Sequence, residues 1–192
     1  MFHLFFEQSG TFKNELKKLI RGGHSIFDDM KKGDTIIAFF PCIRFEDQSI
    51  LNITGNSHGM KSWGVEKKLK YSLKFHEELH YLYSMVTKLV SVCLEKGIPL
   101  IIENPHSAQH YLTRYWCIKP KIIDSDRRRD GDYYKKPTQY WFIGCEPKNN
   151  IIFEPIDYVE QKTILKEKNQ VKRSLIHPQY ANRFLRQYVL DE

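Results

Sequence analysis

Ile98-Pro99-Leu100-Ile101-Ile102-Glu103-Asn104-Pro105 is a continuous apolar run closed by an acid, an amide and a proline. An apolar stretch without alternation reads as a strand covered on both faces, as in a sheet between two helix layers. Asp34 to Pro41 (DTIIAFFP) repeats the design after a Lys-Gly-Asp turn, and Phe2 to Phe6 is the first such apolar run along the chain. Between the second and third of these strands, Val65 to Lys96 places Leu69, Leu73, Leu79, Leu82, Val86, Leu89 and Cys93 at steps mostly of three and four. That periodicity predicts one long amphipathic helix, closed by Gly97. Shorter helices are expected over Lys13–Ile20, Ser25–Lys32, His106–Trp116 and Pro178–Leu190, and strands over Lys121–Asp124 and Gln139–Gly144. Buried strands alternating with helices predict a single α/β domain over residues 1–192, a Rossmann-like three-layer sheet whose sites collect at the carboxyl ends of the strands.

The chain has 192 residues, 41% of them hydrophobic, enough for one sizeable core. Thirty Lys and Arg against 23 Asp and Glu leave a net charge of +7, and such a surface attracts phosphate-bearing partners. No apolar run approaches the roughly 18 residues of a membrane-spanning helix. MFHLFFEQSG carries neither a basic leader nor a signal-length apolar stretch, so a cytoplasmic protein is expected. Cys42, Cys93, Cys117 and Cys145 stand apart with no CxxC pair and read as thiols of a reducing compartment.

The residues just past each apolar run carry the candidate chemistry. After the first comes Glu7-Gln8-Ser9-Gly10-Thr11-Phe12, after the second Cys42, next to Pro41, and at the end of the third Glu103-Asn104-Pro105. All three are expected at one edge of the sheet. A cysteine just past one strand end, with a carboxyl group at the end of a neighbour, can serve as a nucleophile beside an acid. Cys42 alone would otherwise read as a small buried hydrophobe.

This order, a Gly-containing turn, then PC, then ENP, resembles the DNA (cytosine-5) methyltransferases, especially short phage-type relatives. The resemblance runs with gaps from Phe2 to Phe142. It implies that Cys42 attacks C6 of a cytosine and that Glu103 holds the base by its N3 edge. It also implies S-adenosylmethionine as methyl donor, at Glu7, Ser9, Gly10, Thr11 and Phe12, and DNA as partner. Pro41, Asn104 and Pro105 would lie against the substrate. The stretch from Tyr133 to Phe142 (YYKKPTQYWF) is similar to the KKPT-type segment of those relatives, and Arg127, Arg128 and Arg129 precede it. Arg127, Arg128, Lys135 and Lys136, interleaved with aromatic rings, therefore make the expected nucleic-acid surface.

The sequence departs from the family pattern in three places. A donor site of this kind wants a second strand ending in an acid about 20 residues after the glycine turn. Gly10 and Asp34 are only 24 positions apart and must accommodate a helix, the Arg21-Gly22-Gly23 break and another helical piece. The expected sheet is thus shortened near the N-terminus by a strand-helix unit. The PC pair continues as Ile43-Arg44-Phe45-Glu46, where the family usually has a polar residue, an aromatic and a serine. The 50 residues after Phe142 show no large target-recognition insertion.

Two alternatives accompany this reading. One is a degenerate, non-catalytic descendant that binds a nucleotide, nucleic acid or protein. The other is a zinc hydrolase, because His76-Glu77-Glu78-Leu79-His80 fits HExxH, which on a helix sets two imidazoles on one face. Glu95 is its conceivable third ligand, and Tyr83 stands where the extended motif has glycine.

Overall fold

The computed structural model describes residues 2–6, 14–15, 17–18, 21–40, 42–46, 48–163, 169, 172 and 174–191. The elements are β1 (Phe2–Phe6), α1 (Ile26–Asp29), β2 (Thr35–Phe39), α2 (Gln48–Ile53), α3 (Val65–Lys96), β3 (Leu100–Pro105), α4 (Tyr111–Tyr115), β4 (Ile122–Asp124), β5 (Thr138–Ile143) and α5 (Pro178–Tyr188). The described residues also hold two 3-10 turns, His58–Met60 and Arg127–Asp130. Of the helix expected over Lys13–Ile20, the described positions Asn14, Glu15, Lys17 and Lys18 are helical.

The five strands form one sheet in the order β1-β2-β3-β5-β4. β1, β2 and β3 run parallel, whereas β5 is antiparallel to both β3 and β4. The sheet is therefore mixed α/β and open. Between β1 and β2 the described residues hold no strand, only an isolated bridge between Lys32 and Asp34.

Period-two alternation sends neighbouring side chains to opposite faces. Ile36, Ala38, Leu100, Ile102, Trp141 and Ile143 meet Phe75, Leu79, Leu82, Val86, Leu89 and Cys93 of α3. Ile37, Ile101, Tyr140 and Phe142 meet Tyr180 and Phe184 of α5. Helices thus cover both faces of β2, β3 and β5, and these strands are buried for the reason their composition suggested.

α3 ends where Gly97 takes φ +64 and its N–H reaches back to the carbonyls of Cys93 and Leu94, a left-handed cap that other residues strain to adopt. Its buried stripe starts later than the periodicity suggests: Leu69 and Leu73 are each 65% exposed. The step of six residues from Leu73 to Leu79 puts Leu69 and Leu73 off the face that Phe75, Leu79 and Leu82 bury. The helix expected over His106–Trp116 shrinks to α4, because 106–110 form a loop whose His110 ring is committed to the core. The piece expected over Ser25–Lys32 shrinks to α1, held by Lys96 Nζ donating to the Phe27 and Asp28 carbonyls at 3.0 and 2.9 Å.

Candidate active edge

β2 and β3 bring the candidate nucleophile and acid to one edge. Phe39 registers with Glu103, and Phe40 N donates to the Glu103 carbonyl at 3.4 Å, so Cys42 comes directly past the strand end that Glu103 flanks. Cys42 opens a tight turn in which Phe45 N and Glu46 N both donate to its carbonyl, at 2.7 and 3.2 Å. The turn brings Glu46 back over its own start, and Cys42 Sγ donates to Glu46 Oε1 at 3.0 Å. Two anchors fix it. Phe45 is fully buried, stacked on Phe40 and Tyr111, and its carbonyl accepts from Tyr111 N at 2.8 Å. Arg44 lies over the Phe75 ring and pairs with Glu78 of α3, Nε to Oε2 at 2.6 Å. The thiol itself is half-buried.

Asn104 has a different place from the one expected of a substrate contact. It is fully buried: its Nδ2 donates to the Phe40 carbonyl at 3.0 Å and to the Glu103 carbonyl at 2.7 Å, while its Oδ1 accepts from His110 Nε2 at 3.2 Å. His110 Nδ1 in turn accepts from Gln139 Nε2 at 3.3 Å, and Gln139 Oε1 accepts from Thr113 Oγ1 at 2.9 Å. With every amide atom engaged, Asn104 acts as a clamp between the ends of β2 and β3. Pro105 ends β3 half-buried, its carbonyl accepting from Gln139 Nε2 at 2.8 Å. Pro41 and the donor-turn residues Glu7, Ser9, Gly10, Thr11 and Phe12 lie outside the described residues.

Glu103 is 6% exposed and stands 3.9 Å, Oε1 to Nη1, from Arg127. Arg127 is also fully buried: it forms an ion pair with Asp132, and its guanidinium lies 4.5 Å over the Tyr180 ring. Asp132 Oδ1 accepts from the N–H groups of Tyr133 and His177 at 2.7 and 3.1 Å. Glu103 Oε1, Arg127 Nε and Arg127 Nη1 have no hydrogen-bond partner among the described residues despite their burial, which marks them as groups a ligand or water would satisfy. Beyond them, Tyr180 hydroxyl donates to Asp124 Oδ2 at 2.9 Å and meets the Tyr140 hydroxyl at 2.8 Å. Burial pushes the Asp124 carboxyl above its usual range and both phenols well above theirs. A cavity of about 210 Å³ opens beside Asp124 and Tyr188, on the α5 side of the sheet.

The expected nucleic-acid surface is therefore narrower than the sequence implies. Arg127 is in the core, and so are Tyr134, Tyr140, Trp141 and Phe142, whose rings cannot stack on bases from there. Arg128 is partly exposed but grips Asp126 through Nε at 2.8 Å and Nη2 at 2.5 Å. Arg129 and Lys135 are exposed and Lys136 half-buried with φ +23, so these three remain as surface cations of the segment.

Two other expectations meet structural detail. His76 and His80 are both exposed on α3, and His76 Nδ1 bonds the Ser72 carbonyl at 2.8 Å. Among the described residues no group of three His, Cys, Asp or Glu is arranged to hold a metal ion. For the methyl donor, the acids between β1 and β2 are engaged locally. Asp28 Oδ2 accepts from Ser25 N at 2.7 Å and Asp34 Oδ2 from Lys31 N at 3.1 Å. Among the described residues between β1 and β2, no strand ends in an acid of the kind that would hold ribose hydroxyls. No helix among them is long and apolar enough to cross a membrane. No protein-family model, curated protein or solved structure matches the chain.

Proposed function

We propose that this chain is a DNA (cytosine-5) methyltransferase-like protein that attacks a cytosine ring through Cys42 and holds the base through Glu103. The observation that carries the reading is the placement of a half-buried thiol and a buried acid at the carboxyl ends of two adjacent parallel strands. Addition of sulfur to C6 moves the electron pair of the 5,6 double bond to C5, and a proton shared between N3 and the carboxyl group spreads that charge. Both groups act on one base, which must leave the helical stack to reach them. The open hydrogen-bonding positions on Glu103 and Arg127 suit a polar ring edge, and the net charge of +7 suits a polyanionic partner.

The residues expected at the methyl donor lie outside the described ones, and no described strand between β1 and β2 supplies an acid for ribose hydroxyls. A second reading therefore stands beside the first: a descendant that keeps the base-handling edge and binds nucleic acid without methylating it. DNA tritiated at cytosine C5 tests the shared premise without any donor, since a C5 carbanion exchanges its hydrogen with water. Tritium release that disappears in Cys42→Ser is the expected result, and no release from the unaltered protein would overturn the proposal. Calorimetry with S-adenosylmethionine then separates the readings: heat of binding supports a working methylase, and none at millimolar ligand supports the descendant.

A further inference from the structure

We infer that Glu46 is the general base that activates Cys42, an inference that rests on the base-addition reading of this edge. A thiol is a weak nucleophile until an adjacent base takes its proton, and a base must sit within hydrogen-bond reach of that proton. Glu46 Oε1 does, at 3.0 Å from Cys42 Sγ. The contact arises from the chain's own departure from the family pattern. Ile43-Arg44-Phe45-Glu46 turns back on the Cys42 carbonyl, and Phe45 and Arg44 pin that turn to the core and to α3. Because the neighbouring cation, Arg44, pairs with Glu78 instead, Glu46 is left to the thiol. At the adjoining strand end, Glu103 Oε1 and Arg127 Nη1, both in side chains more than nine-tenths buried, face each other at 3.9 Å and have no hydrogen-bond partner among the described residues. They are the independent sign that polar groups of a ligand are received at this edge.

The step balances without an added reagent. The Sγ proton passes to Glu46, the S–C6 bond forms, the C5–C6 π bond opens and its electron pair resides at C5. C5 then takes a proton from water and loses its original one. The double bond re-forms, sulfur leaves, and Glu46 returns the proton to it. The net change is exchange of the C5 hydrogen with solvent, with nothing oxidised or reduced.

Two measurements on Glu46→Gln separate a base from a structural prop, because they move in opposite directions. Tritium release from C5-labelled DNA should fall about 10²- to 10⁴-fold, the usual span for loss of a general base. Alkylation of Cys42 by iodoacetamide, followed at peptide level, should shift to lower pH, because removing a neighbouring negative charge eases thiolate formation. Glu46→Asp, whose carboxylate is one methylene shorter, should recover part of the release and serves if Glu46→Gln does not fold. Release unchanged in Glu46→Gln, or lost together with Cys42 alkylation at every pH, overturns the role of Glu46 alone. No release from the unaltered protein overturns the base-addition reading itself and the inference with it.

Discussion

At the residue scale, the edge depends on polar side chains that never reach solvent. Asn104 joins the end of β2 to the end of β3, and His110 can support it only as the neutral Nε2–H tautomer, since Nδ1 accepts from Gln139. Asn104→Leu would keep the branched shape but remove the hydrogen bonds to the Phe40 carbonyl and from His110 Nε2–H. At about 0.5–1.5 kcal/mol for each lost hydrogen bond, urea unfolding should show a loss of about 1–3 kcal/mol, and a loss under about 0.5 would mean the clamp is dispensable. Arg127 makes the same point on the other face. Arg127→Met strands Asp132 and Glu103 without their cation, and removing one partner of a buried pair costs about 3–5 kcal/mol. A surface phosphate contact would instead leave stability unchanged, so the same urea measurement distinguishes the two places for this residue. Sequence reading put Arg127 on a nucleic-acid surface and Asn104 against the substrate because residue type reports polarity, whereas burial of a polar group is decided by partners distant in the chain.

At the scale of elements, the apolar runs were legible because a strand covered on both faces has no other composition available to it. All five strands stand within a residue or two of where their runs place them, and α3 spans the range its periodicity gives. A run of apolar residues with one irregular step does not hold one face: the six residues from Leu73 to Leu79 turn Leu73 away from the side that Leu79 and Leu89 share. Leu89 is fully buried against the sheet, and Leu73 is mostly exposed. Leu89→Ala should therefore cost about 2–5 kcal/mol and Leu73→Ala less than about 0.5. Equal effects in urea unfolding would mean that the outer face of α3 is covered as well. The Cys42–Glu46 contact was illegible for a related reason. Its spacing of four is that of a helix, but the contact comes from a turn whose shape is imposed by Phe45 entering the core and Arg44 reaching α3. Read as sequence, the same four residues are only a mismatch to a family.

At the scale of the molecule, the sheet separates two chemical environments that meet at Glu103 and Asn104. The α3 face holds the thiol turn and an uncharged amide–imidazole relay, and the α5 face holds the Arg127 ion pair and the two phenols. Both layers also bury groups that would ionise in base. Burial pushes Cys93, on α3, up to about 12 from a value near 9, and pushes Tyr140 and Tyr180 upward as well. For each, the folded chain holds its proton after the unfolded chain has released it. The stabilisation is complete below the unfolded pKa and is lost as pH rises toward the folded one, by up to about 1.4 kcal/mol per pH unit per group. Urea midpoints should accordingly hold level to pH 8 and then fall steeply from pH 9. Cys93→Ala should start less stable, since it leaves a small void against the sheet, yet lose stability more gently with pH because one of the withheld protons is gone. Parallel curves for the two proteins would show that the Cys93 thiol ionises alike in both states, which requires water at the α3 face and is incompatible with a side chain 1% exposed there.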